Sequence, residues 1–177
     1  MVSLSNRYGI FCKEKTMIRR TILLLCAAVA VAAMAQPAPV AELATKKALT
    51  LAVAKEIAAA SSRHAEKNKW NVAITIVDDG GHMIYFERMD GVQTGSIEVA
   101  IRKAKAAAAF KRPTRLFEED VAKGRTVLVA LPGGMPFEGG VPITAGDQII
   151  GAVGVSGATA QQDGMIAQAS VECGEAA

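Results

Sequence analysis

Two histidines, three cysteines and one tryptophan leave this chain of 177 residues little from which to build a metal cluster or a disulfide framework. Two of the cysteines, Cys12 and Cys26, fall in an N-terminal stretch that reads as an address rather than as protein, so Cys173 alone survives. One thiol makes no internal disulfide; a buried, inert thiol is the plain reading, and pairing between chains the other. Two histidines and one cysteine supply no closed zinc site. C-x-x-C-H is missing too, which excludes covalent c-type attachment but leaves haem ligation through an imidazole open. There is no G-x-x-x-x-G-K-[ST], so a phosphate loop is not expected. Long apolar runs are also missing. The longest, Ile22 to Ala33, falls short of the roughly 20 residues that cross a bilayer.

That short run is nevertheless informative. Arg19 and Arg20 precede it and Ala33-Met34-Ala35 closes it, which is the order of a basic n-region, an h-region and a cleavage site. An export signal over residues 1–35 is expected, with Met17 as the true start and a mature chain from Gln36 that is periplasmic or secreted and not membrane-spanning. An uncleaved N-terminal helix is the alternative. Leu25 before Cys26 argues against lipidation. Residues 36–177 then form one domain of ordinary length. Removing residues 1–35 takes away Arg7, Lys13, Lys15, Arg19 and Arg20 but only Glu14, which turns 20 basic against 17 acidic residues into 15 against 16. The domain itself is nearly neutral. A nucleic-acid partner, which needs a basic footprint on the folded part, is therefore not expected.

Within the domain, apolar spacing predicts a helix from Glu42 to about Lys67, with Leu43, Leu51, Ala54, Ile57 and Ala58 near one stripe. Val72 to Val77 and His82 to Phe86 flank Asp78-Asp79-Gly80-Gly81 and read as a hairpin. A second helix spans Ile97 to about Phe110, with Ser96 as its N-cap, and Thr114 caps a short third one. Thr126 to Leu131 is a strand candidate. Val141 to Thr144 and Gln148 to Ser156 read as strands joined at Ala145-Gly146-Asp147, and a helix from Ala160 to about Glu172 closes the chain. Strands adjacent in sequence favour an antiparallel sheet with helices packed on it, so the class is α+β.

Few residues stand out for chemistry. Gly151, Gly154 and Gly157 lie in or beside the last strand, where glycine weakens pairing unless a helix or a ligand comes close. Arg102, Lys103, Lys105, Lys111, Arg112 and Arg115 gather positive charge around the second helix. A solvated face accounts for most such runs, but Ala104 and Ala107 suggest a packed side that turns Lys103 inward. His64 and His82 are the candidate haem axial ligands, alongside the plain reading of each as solvated.

Taken in order, Ile76-Val77-Asp78-Asp79-Gly80-Gly81-His82, Phe86-Glu87-Arg88-Met89-Asp90-Gly91, Lys103-Ala104, Pro113-Thr114, Pro132-Gly133-Gly134, Gly139-Gly140-Val141-Pro142 and Ile150 to Gly157 resemble the GlcG/HbpS family. The resemblance covers essentially the whole of residues 36–177. It implies a profilin-like α+β fold, a central antiparallel sheet of about five strands with flanking helices, assembled into homo-oligomers, often octamers. Relatives include exported haem-binding proteins, the haem-binding C-terminal domain of a corrinoid adenosyltransferase, and proteins encoded with glycolate oxidation. An exported member is expected to bind haem as its cofactor, buffering, sensing or weakly degrading it, and to be a binding protein more than an enzyme.

The ligand surface that the resemblance implies takes in Arg88, Asp90, Lys103, Thr114, Gly139 and Gly140, with Gly154 beneath. Where family members carry Asp-Glu, this chain has Asp163-Gly164, which weakens any metal or acid-base role there. The alternative is a binder or enzyme for a small, glycolate-like carboxylate, with Arg88 and Lys103 pairing with the anion. A purely structural oligomer is the third reading.

Overall fold

The computed structural model describes residues 41–174; the export signal expected over residues 1–35, with Cys12 and Cys26, lies outside the described residues, as does the Cys173 side chain. Two compact units divide the chain, Met1–Ala44 and Thr45–Ala177, and the described elements belong to the second. They are α1 (Leu51–Lys67), β1 (Ala73–Asp78), β2 (Met83–Arg88), α2 (Gly95–Phe110), α3 (Arg115–Ala122), β3 (Gly140–Ala145), β4 (Gln148–Ser156) and α4 (Ala160–Gly174).

Helix α1 starts later than apolar spacing suggests. Thr50 is its N-cap, its hydroxyl accepting from Val53 N at 3.3 Å, which satisfies one of the amides left free at a helix start. Ahead of the cap, Lys47 N donates to the Gln148 side chain and Leu49 is buried against the sheet. These tertiary contacts outweigh helix propensity over residues 45–50.

The sheet runs β2-β1-β4-β3 and is antiparallel throughout. It has four strands where about five were expected, because Thr126–Ala130 coils into a 3₁₀ turn. Leu128 N donates to Arg125 O and Leu131 N to Leu128 O, so the segment spends its amides on itself, and Val127 and Val129 stay exposed. The hairpin turn forms as read. Asp78 accepts from the backbone of both Gly80 and His82 at 2.8 Å, and the His82 bond leads in holding that carboxyl below its usual range.

Successive side chains of a strand point to opposite faces. Ile74, Ile76, Val141, Ile143, Val153 and Val155 form the larger core with α1 and α4, while Val77 and Ala152 meet Ala104, Ala107 and Ala108 of α2. Helices thus cover both faces. Under α2 one row crosses three strands, Thr75 paired with Gly154 and Gly154 with Gly140. The Thr75 hydroxyl in that row is buried with no partner among the described residues. A buried donor left unpaired costs on the order of 1–3 kcal/mol, so Thr75→Val, equal in shape, is expected to raise stability by about 1 kcal/mol in urea unfolding. A loss instead would mean that the hydroxyl has a partner after all.

Candidate functional site

Between the end of α2 and the start of β3 the chain builds one side of a cleft. Lys111 takes a left-handed conformation (φ 52°) that ends α2, and Pro113 then directs the chain into α3. Thr114 stands at the N-cap position of α3 but makes no capping bond. Its hydroxyl instead donates to Phe137 O at 2.7 Å and accepts from Gly140 N at 2.9 Å, while its own N–H donates to Gly140 O at 2.9 Å. Thr114 therefore clamps the 137–140 loop. From the other side Val155 N donates to Gly139 O at 2.8 Å.

Beneath this loop lies a buried ion pair. Lys103 is 2% exposed and donates to Asp163 Oδ2 at 2.8 Å and to Val155 O at 3.0 Å. The second Asp163 oxygen accepts from Ala158 N at 3.0 Å. Burial pushes the Asp163 carboxyl above its usual range, against the pull of the Lys103 charge. Gly139, at φ +128°, must be glycine: a Cβ there would stand 2.6 Å from Val155 O and 2.8 Å from Lys103 Nζ.

Above the loop opens a cleft of about 480 Å³, bounded by His64 of α1, Pro113, Arg115, Glu138 to Val141, and Gly164, Met165 and Gln168 of α4. The volume is within the range of small-molecule sites. His64 forms part of that wall; its Nε2 is shielded from solvent without a hydrogen-bond partner among the described residues, and its ring is tilted 39° to Trp70 at 6.4 Å. Across the cleft, Glu138 is raised above the ordinary carboxylate range by burial, with Glu118 and Glu119 adding to the shift and Arg115 and Lys103 opposing it. No group of three or more His, Cys, Asp or Glu among the described residues stands ready for a bare metal ion.

Sequence reasoning named some of these residues and missed others. His64, Gly139 and Gly140 line the cleft, and Lys103 and Thr114 hold its floor from beneath. Arg88 and Asp90 are exposed at the end of β2, the sheet edge opposite β3, and His82 is exposed in the hairpin turn with Nδ1 3.4 Å from Asp78. None of the three lines the cleft. Within one chain, then, Arg88 and Lys103 do not share a pocket, and the Lys103 charge is already met by Asp163. Over Gly154 the space belongs to a helix, not a ligand, since a Cβ would stand 2.5 Å from Ala104 N. Glu138 was not singled out. The carboxylate missing at Gly164 is met by it, because Glu138 fills the room that a side chain at 164 would take.

Escherichia coli K12 protein GlcG is 44% identical over 112 residues, 63% of this chain and 84% of that protein. The solved HbpS double mutant of Streptomyces reticuli superposes with a TM-score of 0.68 at 31% identity, covering 78% of this chain and 97% of that one. The solved PduOC:haem complex gives 0.66 at 28% identity, over 71% and 94%. A family model described as haem degrading protein HbpS-like matches residues 49–172, and on that match the chain belongs to the HbpS-like family.

Proposed function

We propose that this protein is an exported haem-binding protein whose cleft between α1, α4 and the 137–140 loop would hold haem, with His64 as the residue that would ligate its iron. The observation that carries the reading is that His64 lines a cleft of suitable size and that its Nε2, shielded from solvent, has no hydrogen-bond partner among the described residues, so a turn of the ring is what would bring that nitrogen to a ligand. Pro113, Val141 and Met165 offer apolar wall. Thr114 and the Lys103–Asp163 pair keep the floor in place. Bound haem would supply an iron centre for ligation and redox chemistry, while the chain's own residues bind it, orient it and shield one face from water. The family match and the haem complex of PduOC support the choice of ligand. Export to the periplasm or beyond rests on Arg19-Arg20 and Ala33-Met34-Ala35, and buffering, sensing or slow degradation of haem in a homo-oligomer, an octamer by resemblance, completes the reading.

Titrating hemin into the mature protein is expected to shift the Soret band. His64→Ala should weaken binding by at least the roughly 10- to 100-fold that loss of even a supporting metal-site partner costs, while His82→Ala leaves it unchanged. No shift with the wild type, or equal binding by the His64 variant, would overturn the assignment.

A further inference from the structure

Glu138 is placed by two contacts that have nothing to do with its charge. Its backbone N–H donates to Glu118 Oε2 at 2.5 Å, which pins the main chain, and its side chain lies over Gly164, where a Cβ would come within 2.6 Å of its Cδ. The carboxyl is thereby held in the cleft wall.

Around it the charges nearly cancel in pairs. Arg115 of α3 is ion-paired with Glu119 of the same helix, and Lys103 of α2 with Asp163 of α4. Glu118 of α3 accepts from the Glu138 N–H but keeps its negative charge, which adds to that of Glu138. Two further titratable groups line the cleft: His64 of α1, and Glu172, exposed on α4 and bonded by Gln168. Glu138 has no cation of its own and accepts no hydrogen bond from a described residue. When it ionises, Arg115 and Lys103 offset its charge only in part, since each already has a carboxylate partner, and an anion entering the cleft meets the remainder.

We propose that Glu138 sets the charge selectivity of the cleft: protonated, it admits a ligand bearing carboxylates; ionised, it repels one. Binding of an anionic tetrapyrrole therefore takes up a proton at this residue. The inference rests on the haem reading for the ligand's class, but its chemistry concerns the carboxylates of the ligand and not the iron. Burial favours the same outcome, since it raises the Glu138 carboxyl above the ordinary range against the pull of Arg115. The sign follows: affinity is full below that raised value and is lost as pH rises through it.

The test compares wild type with Glu138→Gln, which keeps the shape and removes the charge, using two probes between pH 4 and 8. Hemin uses both His64 and the carboxylates, whereas iron-free protoporphyrin IX keeps only the carboxylates. Because titration of His64 or of the probe is common to both proteins, the ratio of their affinities isolates Glu138. At pH 8 the Gln variant should bind each probe about fivefold tighter, as expected for one unit charge removed at cleft distance, and the ratio should fall toward one as pH is lowered through the Glu138 titration. Calorimetry in buffers of different ionisation enthalpy should show proton uptake by the wild type that the variant lacks. A ratio independent of pH, or weaker binding by the variant at pH 8, overturns the proposal. If protoporphyrin shows the ratio while hemin gives no ligated Soret band, the haem reading fails and the Glu138 proposal stands; if neither probe binds, both fall.

Discussion

Lys103→Met should cost about 3–5 kcal/mol of stability, the range for breaking a buried ion pair from one side. Such a loss is a large part of the roughly 5–15 kcal/mol that holds a typical domain folded. The cause is less the bond lost than the charge left behind. Asp163, 3% exposed at its side chain, would keep its backbone hydrogen bonds from Ala158 and Gly157 but no cation. Its carboxyl is already raised by burial with the ammonium present, and removing that ammonium pushes it higher. The pH dependence then has a fixed sign. A carboxyl whose folded value exceeds its unfolded one binds more protons in the native state, so stability falls as pH rises from the unfolded value through the folded one. The variant should therefore be nearer to wild type at pH 4 than at pH 7. Lys103→Met with Asp163→Asn removes both charges and keeps an acceptor for Ala158, and is expected to recover most of the loss. Urea unfolding of the four proteins checks this as a double-mutant cycle. A single-variant loss under about 1 kcal/mol, the value of an exposed pair, would show that the pair is not the buried one described.

What the sequence disclosed of this pair, and what it withheld, follows from the range of each signal. Lys103 was legible as inward because Ala104 and Ala107 beside it mark a packed helix side, a pattern within one turn. Its partner lies 60 residues away, and no local spacing joins them. The hairpin around Asp78 to His82 was legible for the same local reason, since the Asp side chain and the turn amides are neighbours in sequence. Thr126 to Leu131 shows the limit from the other side. Its β-branched, apolar composition fits a strand, but whether such a segment pairs depends on a free sheet edge, and here it turns on itself. Gly164 was legible only as a missing carboxylate. That Glu138 from another element occupies the vacated room is a tertiary fact. His64 was legible as a ligand candidate beside the plainer reading of a solvated residue; burial of Nε2 speaks against free solvation, and burial is not written in spacing.

Gly154→Ala is expected to be destabilising by about 3 kcal/mol or more, although it adds one methyl group to a strand. In an ordinary strand the sign would be opposite, because glycine there loses backbone entropy and packs nothing. Here the methyl has no room. It would overlap Ala100 O and stand 2.5 Å from Ala104 N and 2.9 Å from Ala104 Cβ. Two of those three are backbone atoms of α2, which no rotamer change can clear. Overpacking of side chains costs about 1–3 kcal/mol because they can yield, so displacement of a helix backbone belongs at or beyond the top of that range. Gly140, paired with Gly154 across β3 and β4, closes the other route: a Cβ there overlaps Lys103 O and stands 2.7 Å from Thr114 Cγ2, so α2 is as tightly seated over the neighbouring strand. Lifted at Ala100 to Ala104, the helix would carry Lys103 away from Asp163 and from the loop it supports. Ligand affinity should then fall with stability, and by more than Glu138→Gln changes it. Gly95→Ala is the internal comparison: it lies on the same helix with nothing within 4 Å of its Cβ, and should stabilise by up to about 1 kcal/mol through helix propensity alone. Urea unfolding of both variants decides the matter, and a Gly154→Ala protein as stable as wild type would mean that α2 does not sit on the sheet as closely as described.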